Sequence, residues 1–181
     1  MFYLWYSYTQ NYKFSLYVII LPILYGYIVP GIATNFFKMW KFKGPGLIGN
    51  YYLHHGFMYC ANMSSLLYLC YFGRPLEIMS MNISLCIIIL SGCLHGFILW
   101  IHDILIVKYK MVEIYNLPAK KSKSAEEIVT FYAPLCFFLI GSTYAFGSLI
   151  AFRYLVIEQI NDFYQIIAIW IFSSLPLFLF P

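Results

Sequence analysis

The residue types able to carry chemistry concentrate in one stretch, GCLHGFILWIHD, at residues 92–103. Wound as a helix, Gly92, His95, Gly96, Leu99, His102 and Asp103 fall at offsets 0, 3, 4, 7, 10 and 11. Two glycines, two imidazoles and a carboxylate then share one stripe. An imidazole beside a carboxylate can move protons near neutral pH, which suits the headgroup of a quinone, so His102 and Asp103 are candidate quinone-binding residues. His95 lies about 10 Å deeper along the helix and is the candidate haem ligand. Gly92 and Gly96 allow close approach by a second helix or by a flat porphyrin, with helix packing the favoured use.

The stripe sits inside an apolar run, residues 83–107, where ionisable groups are costly unless they face protein, water or a cofactor. Of the 181 residues, 62% are hydrophobic and only 10% charged. Mean hydropathy is +0.77. A soluble domain needs more polar surface than this, so an all-α integral membrane protein is expected. Five windows approach the roughly 20 apolar residues of a membrane span: residues 14–37, 51–72, 83–107, 128–152 and 163–180. They form one polytopic domain, with helices two to four as its core. Pro22 and Pro30 predict a kink or early end in the first window. Pro134 falls inside the second turn of the fourth, and Pro176 shortens the fifth.

Lys38, Lys41 and Lys43 lie between the first two windows, and Lys108, Lys110, Lys120, Lys121 and Lys123 lie in the basic loop 108–127. These eight cations fall on one side, against Lys13, Arg74 and Arg153 on the other. The positive-inside rule makes the basic side the matrix or cytoplasm, with the N-terminus outside and the C-terminus inside. In that loop Ser124 followed by Glu127 predicts a capping box, and Lys120, Lys121 and Lys123 suit lipid headgroups or an acidic partner. Trp5, Trp40, Tyr51 and Tyr109 fit an interfacial aromatic belt. The antiparallel second and third helices bring His54 and His55 level with His102 and Asp103, an inner-face polar cluster. Gly141, Ala145 and Ser148 make a second small-residue seam, so docking against other helices is expected.

The five cysteines form no CxxC pair and read as buried apolar residues, with no metal site expected. No GxSxG, HExxH, P-loop, dinucleotide fingerprint or desaturase His box is present, so a self-contained enzyme is not expected. Residues 1–11 show no secretory signal and no amphipathic transit segment. The abundance of Tyr, Phe and Ile with little Ala points to an AT-rich genome such as that of an organelle.

Residues 81–103, MNISLCIIILSGCLHGFILWIHD, resemble the second membrane helix of the small anchor subunit of succinate dehydrogenase, respiratory complex II. That family shows His, Gly four residues on, then Asp seven after the Gly, commonly followed by Tyr. Gly96 and Asp103 match, Gly92 stands at the haem-ligand position, and Ile104 stands where the Tyr would be. The resemblance implies a mitochondrial inner-membrane subunit that anchors a soluble catalytic module and helps form a ubiquinone site. Haem b near His95 is a further expectation. The expected partners are other subunits of a respiratory complex and membrane lipids, with no nucleic acid. Two alternatives stand beside it: a structural accessory subunit of complex I, III, IV or ATP synthase without cofactor contact, and a component of a proton or solute pathway.

Overall fold

The computed structural model describes residues 1–73 and 80–179. Arg74, Glu77 and the last residue of the fifth window lie outside them. The fold is built from helices: α1 (Phe2–Thr9), α2 (Tyr12–Asn35), α3 (His55–Tyr71), α4 (Met81–Lys108), α5 (Leu117–Lys120), α6 (Ala125–Thr130), α7 (Ala133–Phe152) and α8 (Phe163–Leu179). A π-helical turn, Arg153–Ile157, prolongs α7. Among the described residues three helical stretches are long and apolar enough to cross a membrane: Tyr12–Asn35, Met81–Lys108 and Ala133–Ile157. The second and fifth windows hold the 17-residue helices α3 and α8. At about 1.5 Å per residue each is near 25 Å long.

Local chemistry sets the helix ends. Asn11 caps α2 by accepting from the Phe14 amide at 3.0 Å, and Ser80 does the same for α4 through Ile83. The expected capping box forms at α6, where the Ser124 and Glu127 side chains each accept from the other's amide. Two expectations about proline are corrected. Helix α2 does not end early but runs through Pro22 and Pro30. Pro22 has no amide to offer the Val18 carbonyl four residues back, and the Tyr144 hydroxyl of α7 donates to that oxygen instead, at 2.6 Å. Pro134 does not sit inside a helix spanning residues 128–152. The chain breaks between α6 and α7, and Pro134 takes a first-turn position of α7, where a missing amide costs nothing.

Helix α7 is the hub. It packs along α4 and against α8, while α2 packs mainly on α3. The buried core therefore extends beyond helices two to four: Phe14, Val18, Leu21 and Tyr25 of α2 and Leu177 of α8 belong to it. Two glycines seat α2 on α3, since a Cβ on Gly26 would lie 2.9 Å from the Gly56 Cα. Trp5 is fully enclosed by the chain, its indole N–H donating to Ser64 Oγ at 2.9 Å. Of the cysteines expected to be buried, Cys86 and Cys93 lie exposed on the outer face of α4.

Short strands join the two basic loops. Strand β1 (Trp40–Phe42) pairs antiparallel with β4 (Val112–Ile114), with Lys41 opposite Glu113. Between them in sequence, β2 (Leu47–Ile48) pairs with β3 (Tyr51–Tyr52). Residues 51–52 thus belong to a hairpin, and the second window's helix starts only at His55. Lys43 and Glu113 form an ion pair across the strands at 2.5 Å. The loops expected on one side are hydrogen-bonded to each other.

Candidate functional site

Asp103, five residues before the end of α4, is the centre of a polar cluster at the basic end of the helices. Its side chain is 14% exposed. Tyr132 donates its hydroxyl to Oδ2 at 2.7 Å, and His102 Nδ1 lies 3.1 Å from Oδ1. Hydrogen bonds to an ionised acceptor are stronger than neutral ones. Tyr59 of α3 and Cys136 of α7 stand within electrostatic reach of the same carboxylate. His102 is the open edge of the cluster, with 42% of its side chain exposed. The arrangement can present the exposed His102 imidazole to a polar headgroup and exchange protons through it, with Asp103 and Tyr132 holding the ring's partner in place.

Tyr132 is the member that sequence reasoning missed. The break before α7 puts it there: at φ −131°, ψ −40° it lies outside helical geometry, which lets its ring reach across to α4. The available signal was Pro134, which favours the first turn of a helix and so marks a helix start beside Tyr132. A tyrosine from another element thereby meets the carboxylate, while the neighbouring position in sequence is Ile104.

His95 is not part of this cluster. Its ring is 0% exposed, and Nδ1 contacts the Ser91 carbonyl of the preceding turn at 2.7 Å. The opposite nitrogen, Nε2, is buried without a hydrogen-bond partner among the described residues. The ring is pressed against α7, where a Cβ on Gly141 would lie 2.7 Å from it. Nε2 carries the free lone pair that a haem iron would need. No face of the ring is open to a porphyrin, however, and the site does not fit haem while α4 and α7 are packed.

The glycines use their missing side chains within the chain. A Cβ on Gly96 would sit 3.0 Å from the Pro134 carbonyl, and one on Gly92 would strike Ser142 and the Phe138 ring. The seams around Gly92 and around Gly141 therefore pack on each other. Ala145 is also fully buried on α7, and Ser148 bonds to the Tyr71 hydroxyl of α3 at 3.2 Å. Of the two early histidines, His55 comes within electrostatic reach of His102. It is buried in a ring cage, 5.0 Å from Phe42 and 5.1 Å from Tyr59 between centroids. His54 stays exposed and stacks on Tyr52 at 5.2 Å.

These features define an α-helical chain with three potential membrane-crossing helices and an Asp–Tyr–His cluster at its basic end. No protein-family model, characterised protein or solved structure matches the chain.

Proposed function

We propose that this chain is the hydrophobic subunit of a respiratory-chain complex in the mitochondrial inner membrane, a divergent complex II anchor that walls a ubiquinone site. Five helices, α2, α3, α4, α7 and α8, cross the bilayer, with the N-terminus outside and the basic loops and C-terminus in the matrix. The observation that carries this reading is the Asp103 carboxylate held between the Tyr132 hydroxyl and the His102 imidazole. Gly96 and Asp103, the two positions of resemblance to the anchor helix, support it.

A quinone supplies reversible electron and proton uptake at its carbonyl oxygens. In this chain the exposed His102 imidazole lies at the edge of the headgroup and exchanges the proton there. Asp103 orients it through Nδ1, and Tyr132 holds that carboxylate by donating to Oδ2. The exposed side of His102 leaves the site half-walled, so partner subunits complete it. Electron transfer belongs to cofactors in those partners. His95 and haem b have no part in this reading, because the ring is sealed.

The test is native purification through a tag on this chain, followed by mass spectrometry and assays. A flavoprotein and an iron–sulfur subunit with succinate–quinone activity are expected. Asp103→Asn should then lower quinone reduction by about a hundredfold, while succinate oxidation with a soluble dye and the recovery of partners stay unchanged. Recovery of proton-pumping or ATP-synthase subunits, or full quinone activity in the variant, overturns the proposal.

A further inference from the structure

Beside the polar cluster, on the same basic side, lies a surface groove of about 580 Å³ between α5 and α6. Lys121 and Lys123 line it together with the apolar Leu117, Pro118 and Phe131. Phe131 is 63% exposed. Glu126 and Glu127 also line it, but their carboxylates are turned onto the first turn of α6. Glu127 accepts from the Ser124 amide and pairs with Lys123 at 3.2 Å, and Glu126 is held by the Ser124 hydroxyl. Lys120 and Lys121 have no ion pair among the described residues. The lining itself carries two lysines and two glutamates; Lys108 near Glu126 and Lys120, next to Lys121 at the end of α5, add two positive charges beside it.

Apolar side chains are also exposed beyond the groove. On α7, which begins two residues after Phe131, Leu135, Leu139 and Phe146 share one exposed face, the first of them 68% exposed. From Leu135 to Phe146 that face runs about 16 Å. Thr130, in the groove lining, accepts from the Trp100 indole at 3.0 Å, and tryptophan is enriched at the level of the headgroups.

We infer that this groove binds one anionic phospholipid, its phosphate on Lys120 and Lys121 and an acyl chain along Phe131, Leu135 and Leu139. Basic side chains beside exposed apolar ones match a headgroup and its chain, whereas an acidic peptide would leave the apolar face of α7 unused. The inference rests on the chain lying in a bilayer and not on which complex it joins.

The test is native mass spectrometry of the full chain in detergent, titrated with phosphatidylglycerol or phosphatidylcholine. One retained phosphatidylglycerol is expected. Lys120→Gln with Lys121→Gln should weaken retention by about tenfold, and Leu135→Asn should weaken it without changing any charge. Lys38→Gln with Lys41→Gln, on the same side but in the other loop, should change retention by less than about twofold. Equal retention of phosphatidylcholine, or an equal loss in the control pair, overturns the site. So does displacement by millimolar inorganic phosphate or by a Glu-rich peptide, which would reveal a free-anion or protein site.

Discussion

The Tyr132 hydroxyl and the Asp103 carboxylate meet at 2.7 Å from elements 29 residues apart, so each constrains the other's element. Tyr132→Phe removes the donor and leaves a part-buried carboxylate with His102 alone. Loss of a hydrogen bond to a charged acceptor should cost about 1–2 kcal/mol of stability in unfolding titrations. Adding Asp103→Asn should recover part of that cost, and a purely additive double mutant would show that the two groups are not coupled. The sequence offered Asp103 and His102 because their types are improbable within an apolar run. It could not offer Tyr132, because one tyrosine among 18 carries no signal of its own. His95 was conspicuous for the same reason as Asp103, yet its Nδ1–H is spent on its own helix at Ser91. A histidine bonded back to its own helix looks, in sequence, the same as one reaching for a ligand.

Small residues decide how the elements fit, and here the pattern was legible while the partner was not. Gly92 and Gly96 stood out by spacing, as did Gly141 and Ala145, but each seam turned out to seat the other. Gly92→Ala would drive a methyl group into Ser142 and the Phe138 ring. It should lower the melting temperature in detergent, with a cost of about 1–3 kcal/mol for overpacking, and Ser142→Gly should restore part of the loss. No recovery would mean that Phe138, not Ser142, limits the approach of α4 to α7. The proline effects were only half legible: Pro134 announces a break, but the rescue of the Val18 carbonyl by Tyr144 depends on tertiary contact. The cap of α6 adds a pH dependence. The Ser124 amide, then Lys123, hold the Glu127 carboxyl below its usual range. A group depressed in the folded state stabilises above its unfolded pKa, about 4.3, and that contribution is lost as pH falls through the folded value. Protection of the α6 amides from hydrogen exchange, relative to their intrinsic rates, should therefore fall below about pH 4. Glu127→Gln should reduce that dependence, leaving the smaller share of Glu126, which is depressed as well.

Over the whole molecule, the charge asymmetry anticipated that two distant loops share a side, and the pairing of β1 with β4 is the physical bond between them. Hydropathy gave no hint of those strands, since three residues are too few for a period to be seen and Lys41 and Glu113 read as ordinary loop charges. The pairing matters because the loops flank the Asp103 cluster: one leads into α3 and its buried His55, the other leaves α4. Joining them fixes how α3 and α4 stand at the basic end, where few direct contacts between those helices do so. This can be tested at one pair. Lys41 and Glu113 are directly opposite, so their Cα atoms are separated by about 4.5 or 5.5 Å, inside the roughly 4.4–6.8 Å range of disulfides. Lys41→Cys with Glu113→Cys should cross-link under mild oxidation, seen as a linked peptide in a proteolytic map, while either single change should not. In sealed vesicles both thiols should react with a membrane-impermeant reagent from one side only, and a cysteine at Asn161, beyond α7, from the other. The cross-linked chain should keep the Asp103 cluster intact, so that in the purified complex quinone reduction is unchanged by the disulfide. Failure to cross-link, or labelling of the two loops from opposite sides, would separate the loops and remove the frame that holds α3 beside α4.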